Sequence, residues 1–262
     1  MDIIDGIGAE LDGSTLILTL VNPERRNAFT PAMRRCATTL IEEGFVNEAV
    51  RAIILRGEGN HFCSGADLST VGGGEATSPL QLTERMRDSQ RLVRAIALGP
   101  KPVIAAVEGS AFGGGLSLAA ACDLIVAAED AKFGIAFAGL GLMADLGLLF
   151  SLQQRVGRQV ARRMIYFSEK VSGIEAADIG LVDKLAKPGA ALQTARELAA
   201  SLEGAAPLAL ATTKRALSGS LESIDDALRL ELDIQPGLAA SSDFKEGLTA
   251  FKEKRRPRFS GR

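Results

Sequence analysis

Residues 102–124 read PVIAAVEGSAFGGGLSLAAACDL. The run at 102–107 is continuously apolar and contains β-branched residues, the pattern of a strand buried on both faces. Gly109 and the triplet Gly113-Gly114-Gly115 interrupt it. The alanine-rich stretch 113–121 then reads as a helix, and 124–127 returns to a strand. Strand, glycine turn, helix and strand in close succession point to α/β organisation.

Working upstream, the alternation repeats. Residues 14–21, STLILTLV, predict a strand, and Thr30-Pro31 opens a helix to about residue 47, with Thr at the N-cap and Pro at the first helical position. AIIL at 52–55 is a second buried strand, 57–64 a loop, and Gly72-Gly73-Gly74 a loop tip. A charged helix follows over 80–98, with apolar spacing at Leu82, Met86, Val93 and Ile96. Downstream of Asp145 the pattern turns helical, and residues 204–207 suggest a boundary. Beyond it, helices are expected over 208–217, 224–232 and 244–256. The last starts with Asp243-Phe244-Lys245-Glu246, which fits a capping box, and ends in a basic tail at 252–258. This divides the chain into an α/β core, 1–203, and a helical C-terminal region, 204–262.

With 262 residues, 47% hydrophobic and 24% charged, the chain has globular composition. No apolar run reaches the ~18 residues of a membrane span. Residues 1–5, MDIID, lack the basic and apolar segments of a secretory signal. A net charge of −2 disfavours a phosphate-backbone binder. Cys36, Cys63 and Cys122 form no CxxC pair, and a single histidine nearly excludes a Cys/His zinc site. Reduced, mostly buried thiols in a cytoplasmic protein are the expectation.

Chemistry concentrates in two glycine turns, each after a buried strand: Phe62-Cys63-Ser64-Gly65-Ala66-Asp67-Leu68, and residues 109–116, GSAFGGGL. A helix start leaves N–H donors unpaired and carries partial positive charge, and glycine lets a ligand oxygen approach the backbone. Brought together, two such turns would form an oxyanion hole. Either segment alone reads more readily as close packing.

FCSGADL, followed about forty residues later by PVIAAVEGSAFGGGLSLAAACDL, resembles the enoyl-CoA hydratase/isomerase, or crotonase, family. The resemblance runs along essentially the whole chain. Asn22-Pro23 through Arg26-Asn27-Ala28 is similar to the family's early NP…xNA segment, Ala131-Lys132-Phe133-Gly134 to AxFG, and Gly180-Leu181-Val182-Asp183 to GLVD. Glu246-Gly247, Phe251, Lys254-Arg255 and Phe259 follow the C-terminal pattern. The resemblance implies a spiral of ββα turns and a helical C-terminal region that packs subunits into trimers, or dimers of trimers. It implies an acyl-CoA thioester as substrate, with no metal or separate cofactor and with CoA arriving as part of the substrate. Its carbonyl would be held by the N–H groups of Ala66 and Gly114. The binding set it implies is Arg26, Ala28, Gly65, Ala66, Asp67, Leu68, Gly114, Phe137 and Lys254. Arg25 and Arg26 are candidates for the CoA phosphates.

The chain departs from the family's hydratases. Their two water-activating glutamates fall here on Ser117 and Phe137, neither a general acid–base near neutral pH. Asp145 instead matches the aspartate of several family isomerases. It is flanked by Leu142, Met143, Leu146, Leu148, Leu149 and Phe150, an apolar setting that would raise its pKa and suit it to shuttle a proton. The competing reading of Asp145 is a helix N-cap. The leading expectation is an isomerase moving a double bond or rearranging a ring. The alternatives are a hydratase using Glu75 or Glu84, and a non-catalytic acyl-CoA-binding homologue.

Other candidates weigh less. Gly115-Leu116-Ser117-Leu118-Ala119 nearly spells a hydrolase elbow, but His61 precedes the serine, against that fold's order. His61 reads as a surface or packing histidine. Cys63 is a poor nucleophile candidate, and the glycines make no dinucleotide fingerprint. Asp67 could cap a helix and Glu108 could hold a local hydrogen bond.

Overall fold

The structure, a computed structural model, describes residues 1–67, 78–219 and 221–262. Its main layer is a seven-stranded sheet. A hairpin not foreseen from the sequence opens it: β1 (Asp2–Ile4) and β2 (Ile7–Asp12), turning through Asp5 and Gly6. Both turn residues have positive φ, 48° and 78°, as a tight two-residue hairpin turn requires. β2 pairs antiparallel with β3 (Thr15–Leu20). From there the sheet is parallel, through β4 (Ala52–Gly57), β5 (Val103–Val107), β7 (Leu124–Ala128) and β10 (Lys184–Ala186).

The alternation of side chains in these strands feeds two cores. Leu18, Ile53, Leu55, Val103 and Ala105 face the larger one. Ile17, Ala52, Ile54, Ile104 and Ala106 face the other way. Both faces are therefore covered, which is why these strands read as continuous apolar runs. The larger core receives α1 (Pro31–Val46), α2 (Pro79–Leu98), α3 (Gly114–Ala121) and α4 (Leu148–Phe167). The second is closed by α6 (Ala191–Ser201) through Ala191, Ala195 and Ala199, an alanine stripe one turn apart that lets helix and sheet approach closely.

A second, three-stranded sheet turns the layer into a spiral. It holds β6 (Ser110–Phe112), β8 (Lys132–Gly134) and β9 (Lys170–Ser172). Single-residue bridges Cys63–Ala111 and Phe29–Ala66 extend it toward the N-terminus. Each long strand is thus followed by a short segment in the second sheet before a helix returns the chain. The expected α/β spiral is the fold observed. β6, β8, β9 and β10 are each only three residues long, too short for periodicity to expose them.

The C-terminal region holds α7 (Pro207–Ser218), α8 (Ile224–Ala240) and α9 (Ser242–Glu253). Buried Lys214 fastens α7 to the core: its Nζ donates to the carbonyls of Ile96 (2.7 Å) and Lys101 (2.9 Å) and to Asp123 Oδ2 (2.6 Å). Two expectations need correction here. Helix α8 runs on to Ala240 through Pro236, because a proline costs an exposed helix one hydrogen bond without always ending it. The capping box does not form from Asp243: Ser241 is the N-cap and accepts from the Phe244 N–H. Asp243 is buried and accepts from the Ser260 and Gly261 amides. Glu246 accepts from Arg255 and from the Arg258 amide, which pulls its carboxyl down to about 2. The basic tail is folded back on α9 by these bonds.

Candidate active site

The two glycine turns meet. In the first, Phe62 N–H donates to Glu108 O, Cys63 N–H to Ser110 O and Ser64 N–H to Arg26 O, while Gly65 O accepts from Phe29 N–H at 2.8 Å. In the second, Phe112 N–H donates to Cys63 O (3.0 Å) and Gly113 N–H to Gly134 O (2.9 Å). Each of these amides is tied. The amides of Ala66 and Gly114 are not: neither donates to any group among the described residues. Gly114 is the first residue of α3, where helix geometry leaves the N–H without an internal partner.

Glycine is required at the contact. Gly65 has φ +104°, and a β-carbon there would stand 3.0 Å from Phe112 O and 3.2 Å from the Gly114 nitrogen. A β-carbon on Gly114 would lie 3.7 Å from the Ala66 nitrogen. Gly115 is more constrained, with Cys63 O only 2.2 Å from such a carbon. The two unpaired amides are thus neighbours across a backbone-on-backbone contact. Asn27, fully buried, pins the first loop: its Nδ2 donates to the carbonyls of Glu58 (2.9 Å) and His61 (2.6 Å). The sequence placed Asn27 in a motif without revealing this task.

Asp145 immediately precedes a residue that reaches the same contact. The next residue, Leu146, reaches Gly114: its Cδ1 would be 3.3 Å from a β-carbon there. Gly147 touches Val93 of α2, whose Cγ1 would be 3.4 Å from an added β-carbon. Asp145 does not cap α4. The N-cap is Gly147, in the left-handed region, and the Asp145 carbonyl accepts from Leu148 N–H. Its Oδ1 is buried without a hydrogen-bond partner. Burial raises its pKa, against the opposing pull of the Arg34 guanidinium. The apolar setting is not the expected one. Leu148 is buried, but Leu142, Met143, Leu149 and Phe150 are exposed, so Asp145 owes its burial to tertiary packing.

The remaining candidates distribute as follows. Asp67, nearly buried, accepts from Arg25 Nη1 at 2.8 and 3.1 Å, an ion pair that holds the early turn against the first loop. Arg26 adopts φ 50° and supplies the carbonyl that receives Ser64 N–H. Ala28 is buried and its carbonyl accepts from Asn22 Nδ2. Phe137 is buried ahead of a short turn at Ala138–Leu140. Lys254 ends α9, exposed and left-handed. Leu68 and Glu75 lie outside the described residues. Glu84 is exposed on α2.

Ser117 is fully buried and donates to Gly113 O, which removes it as a nucleophile. Burial pushes the Cys63 thiol up to about 12, which removes that one too. His61 shares a 3.0 Å hydrogen bond with Ser110 Oγ, and burial and Arg26 lower its pKa. Glu108 accepts from the Gly189 and Ala191 amides; its bond is therefore not local but holds the start of α6. Sequence reasoning missed Arg34. Its nearest signal is Arg34 and Thr38 one turn apart beside the buried stripe Met33, Ala37 and Ile41.

The spiral sheets, the two convergent amides and the C-terminal helices define a protein of the crotonase fold. The crystal structure of an enoyl-CoA hydratase from Polaromonas sp. JS666 superposes with a TM-score of 0.92 at 35% identity, covering 97% of this chain and 99% of that one. The family model described as enoyl-CoA hydratase/isomerase matches residues 10–262. This chain belongs to the enoyl-CoA hydratase/isomerase family. A probable enoyl-CoA hydratase of Rhodobacter capsulatus is 38% identical, over 97% of each chain. A 1,2-epoxyphenylacetyl-CoA isomerase of Escherichia coli is 33% identical, over 97% of this chain and 98% of its own. Membership implies an enzyme acting on an acyl-CoA thioester.

Proposed function

We propose that the chain is an acyl-CoA isomerase that works by proton transfer through one aspartate. The thioester carbonyl oxygen accepts from the Ala66 and Gly114 amides. Asp145 takes a proton from the acyl chain, and the C–H electron pair moves into a dienolate whose charge rests on that oxygen. Asp145 returns the proton to a different carbon, so the double bond shifts with no net gain or loss of atoms. A ring rearrangement next to the thioester would use the same anion. No metal or redox cofactor enters, and CoA comes with the substrate.

What supports this reading is a half-buried carboxylate, its Oδ1 unpartnered, one residue before the Leu146 that reaches Gly114, together with two amides that have no partner among the described residues; by the family resemblance Ser117 and Phe137 stand where a hydratase pair would. A single carboxylate suffices to lift and return one proton, whereas hydration must also place and split water. Each amide contributes about 10²–10³ in rate. Arg26, Ala28, Gly65, Asp67, Leu68, Phe137 and Lys254 complete the binding surface for the acyl-CoA. Subunits assemble as a homotrimer or a dimer of trimers, supported by the exposed stripe of Ile224, Leu228 and Leu232 on α8.

The test is Asp145→Asn with a β,γ-unsaturated enoyl-CoA in deuterated water. Turnover and deuterium uptake should fall by about 10²-fold or more; unchanged values sink the proposal. A second reading, hydration of a 2-enoyl-CoA, is favoured by the hydratase name of the Rhodobacter relative. Loss of thioester absorbance on addition to crotonyl-CoA distinguishes it.

A further inference from the structure

In a planar trans peptide, the C=O of one residue and the N–H of the next point in opposite directions across one rigid plate. Fixing the oxygen therefore aims the hydrogen. Both unpaired amides belong to plates held in this way. The Ala66 N–H shares its plate with Gly65 O, which Phe29 N–H holds at 2.8 Å. The Gly114 N–H shares its plate with Gly113 O. That oxygen accepts from two groups of one residue, the Ser117 N–H at 3.0 Å and the Ser117 Oγ at 3.3 Å.

The two plates are not equally secure. Residues 65 and 66 are bridged to the early turn by the pairing of Phe29 with Ala66. The 113–114 plate lies between two glycines, and its rotation is set by the ψ of Gly113, −120° at a φ of 52°. With no β-carbon at either residue, few steric barriers oppose that rotation. The Gly113 N–H is tied to Gly134 O on β8, so what remains to hold the plate is the grip on its oxygen. The Ser117 N–H supplies one bond, the first of helix α3. The hydroxyl supplies a second. Serine often bonds back to the carbonyl four residues earlier in a helix; here that carbonyl belongs to the plate that carries an unpaired amide.

We propose that Ser117 is a positioning residue for the Gly114 amide, its hydroxyl holding the Gly113 carbonyl so that the N–H on the same plate stays aimed at the thioester oxygen. This rests on the reading of that amide as a donor to the substrate carbonyl. The bond also polarises the plate. An N–H whose own carbonyl accepts hydrogen bonds is a stronger donor, by about 10–30% per bond. Ser117 is fully buried, as is the rest of α3, and a hydrogen bond away from bulk solvent is electrostatically stronger. The side chain touches neither substrate nor proton. At the position where the family's hydratases carry a water-activating glutamate, this chain keeps a hydroxyl turned toward its own backbone.

The experiment compares the full-length enzyme with Ser117→Ala, Ser117→Cys and Ser117→Thr. The first readout is the infrared carbonyl stretch of bound butyryl-CoA carrying 13C at the thioester carbon, a saturated probe with no double bond to move. Binding to the unsubstituted enzyme should lower that stretch, and Ser117→Ala should give back part of the shift. Ser117→Cys keeps the bulk but offers only a weak S–H donor. It should follow Ser117→Ala, which separates the hydrogen bond from packing. Ser117→Thr keeps the hydroxyl and should restore most of the shift. The second readout is turnover of a β,γ-unsaturated enoyl-CoA. Negative charge develops on the oxygen only on the way to the transition state. In Ser117→Ala, kcat should therefore fall roughly three- to tenfold with KM within about twofold, a fraction of the roughly 10²–10³ lost with a whole donor. Folded Ala and Cys variants with an unmoved stretch and kcat overturn the inference. So does a lower unfolding midpoint with the stretch unmoved, the mark of a merely structural role. Failure of the underlying reading looks different: the stretch would then not shift on binding even to the unsubstituted enzyme, and this inference would fall with it.

Discussion

Helices α3 and α8 are both rich in apolar residues, but all eight residues of α3 are buried and none of α8 is. Helix α3 is enclosed because its glycines and alanines permit backbone contact on every side. Its opening pair also holds one of the unpaired amides. Helix α8 carries Ile224, Leu228 and Leu232 at one-turn spacing, exposed by 72%, 53% and 74%. Burying a side chain of that size is worth about 1.5–3 kcal/mol. A stripe that forgoes this in a single chain is a surface shaped for covering. Between the two helices stands α7, bolted to the core by Lys214. The difference teaches that the chain invests its internal packing around the two glycine turns and leaves an apolar stripe exposed on its C-terminal helices.

The strongest way to test that division is to cut the bolt. Lys214→Met leaves Asp123 facing buried surroundings without its cation. It should cost about 3–5 kcal/mol, read as a lower denaturant midpoint. Alanine substitutions sharpen the contrast between the two helices. Gly115→Ala drives a methyl into Cys63 O and should cost about 3 kcal/mol. Gly237→Ala in α8 meets nothing within 4 Å and should stabilise the single chain by about 0.8–1 kcal/mol through helix propensity. A loss at Gly237 instead would place that surface in contact with another copy. The mildest effect on chain stability is expected from Leu228→Glu with Leu232→Glu. Unfolding should change by about 0.5 kcal/mol or less, while sedimentation should report a smaller assembly. An unchanged sedimentation coefficient would break the assembly half of the comparison.

Much of this is legible in the sequence alone. Long buried strands announce themselves, because a strand covered on both faces must be apolar at every position, as 52–55 and 102–107 are. The glycine turns were legible because a positive φ and a 3.0 Å backbone approach leave few other residue types possible. The three-residue strands were not, being too short to show a period. Helix α6 lies in the stretch read as helical but its bounds were not legible, although its alanines recur every fourth residue, since alanine carries little hydrophobic signal. The capping box at Asp243 misled because a nearby serine competed for the cap while the tail amides claimed the aspartate.

The long buried strands, the two glycine turns and Asp145 as a candidate acid were therefore written in the sequence, because each depends on local backbone freedom or on side-chain type. The setting of that acid was not. Its apolar sequence neighbours largely point into solvent, and the charge that pulls on it, Arg34, sits on α1, about a hundred residues upstream. Burial and electrostatic coupling are properties of what packs against a group, and only the folded chain decides that.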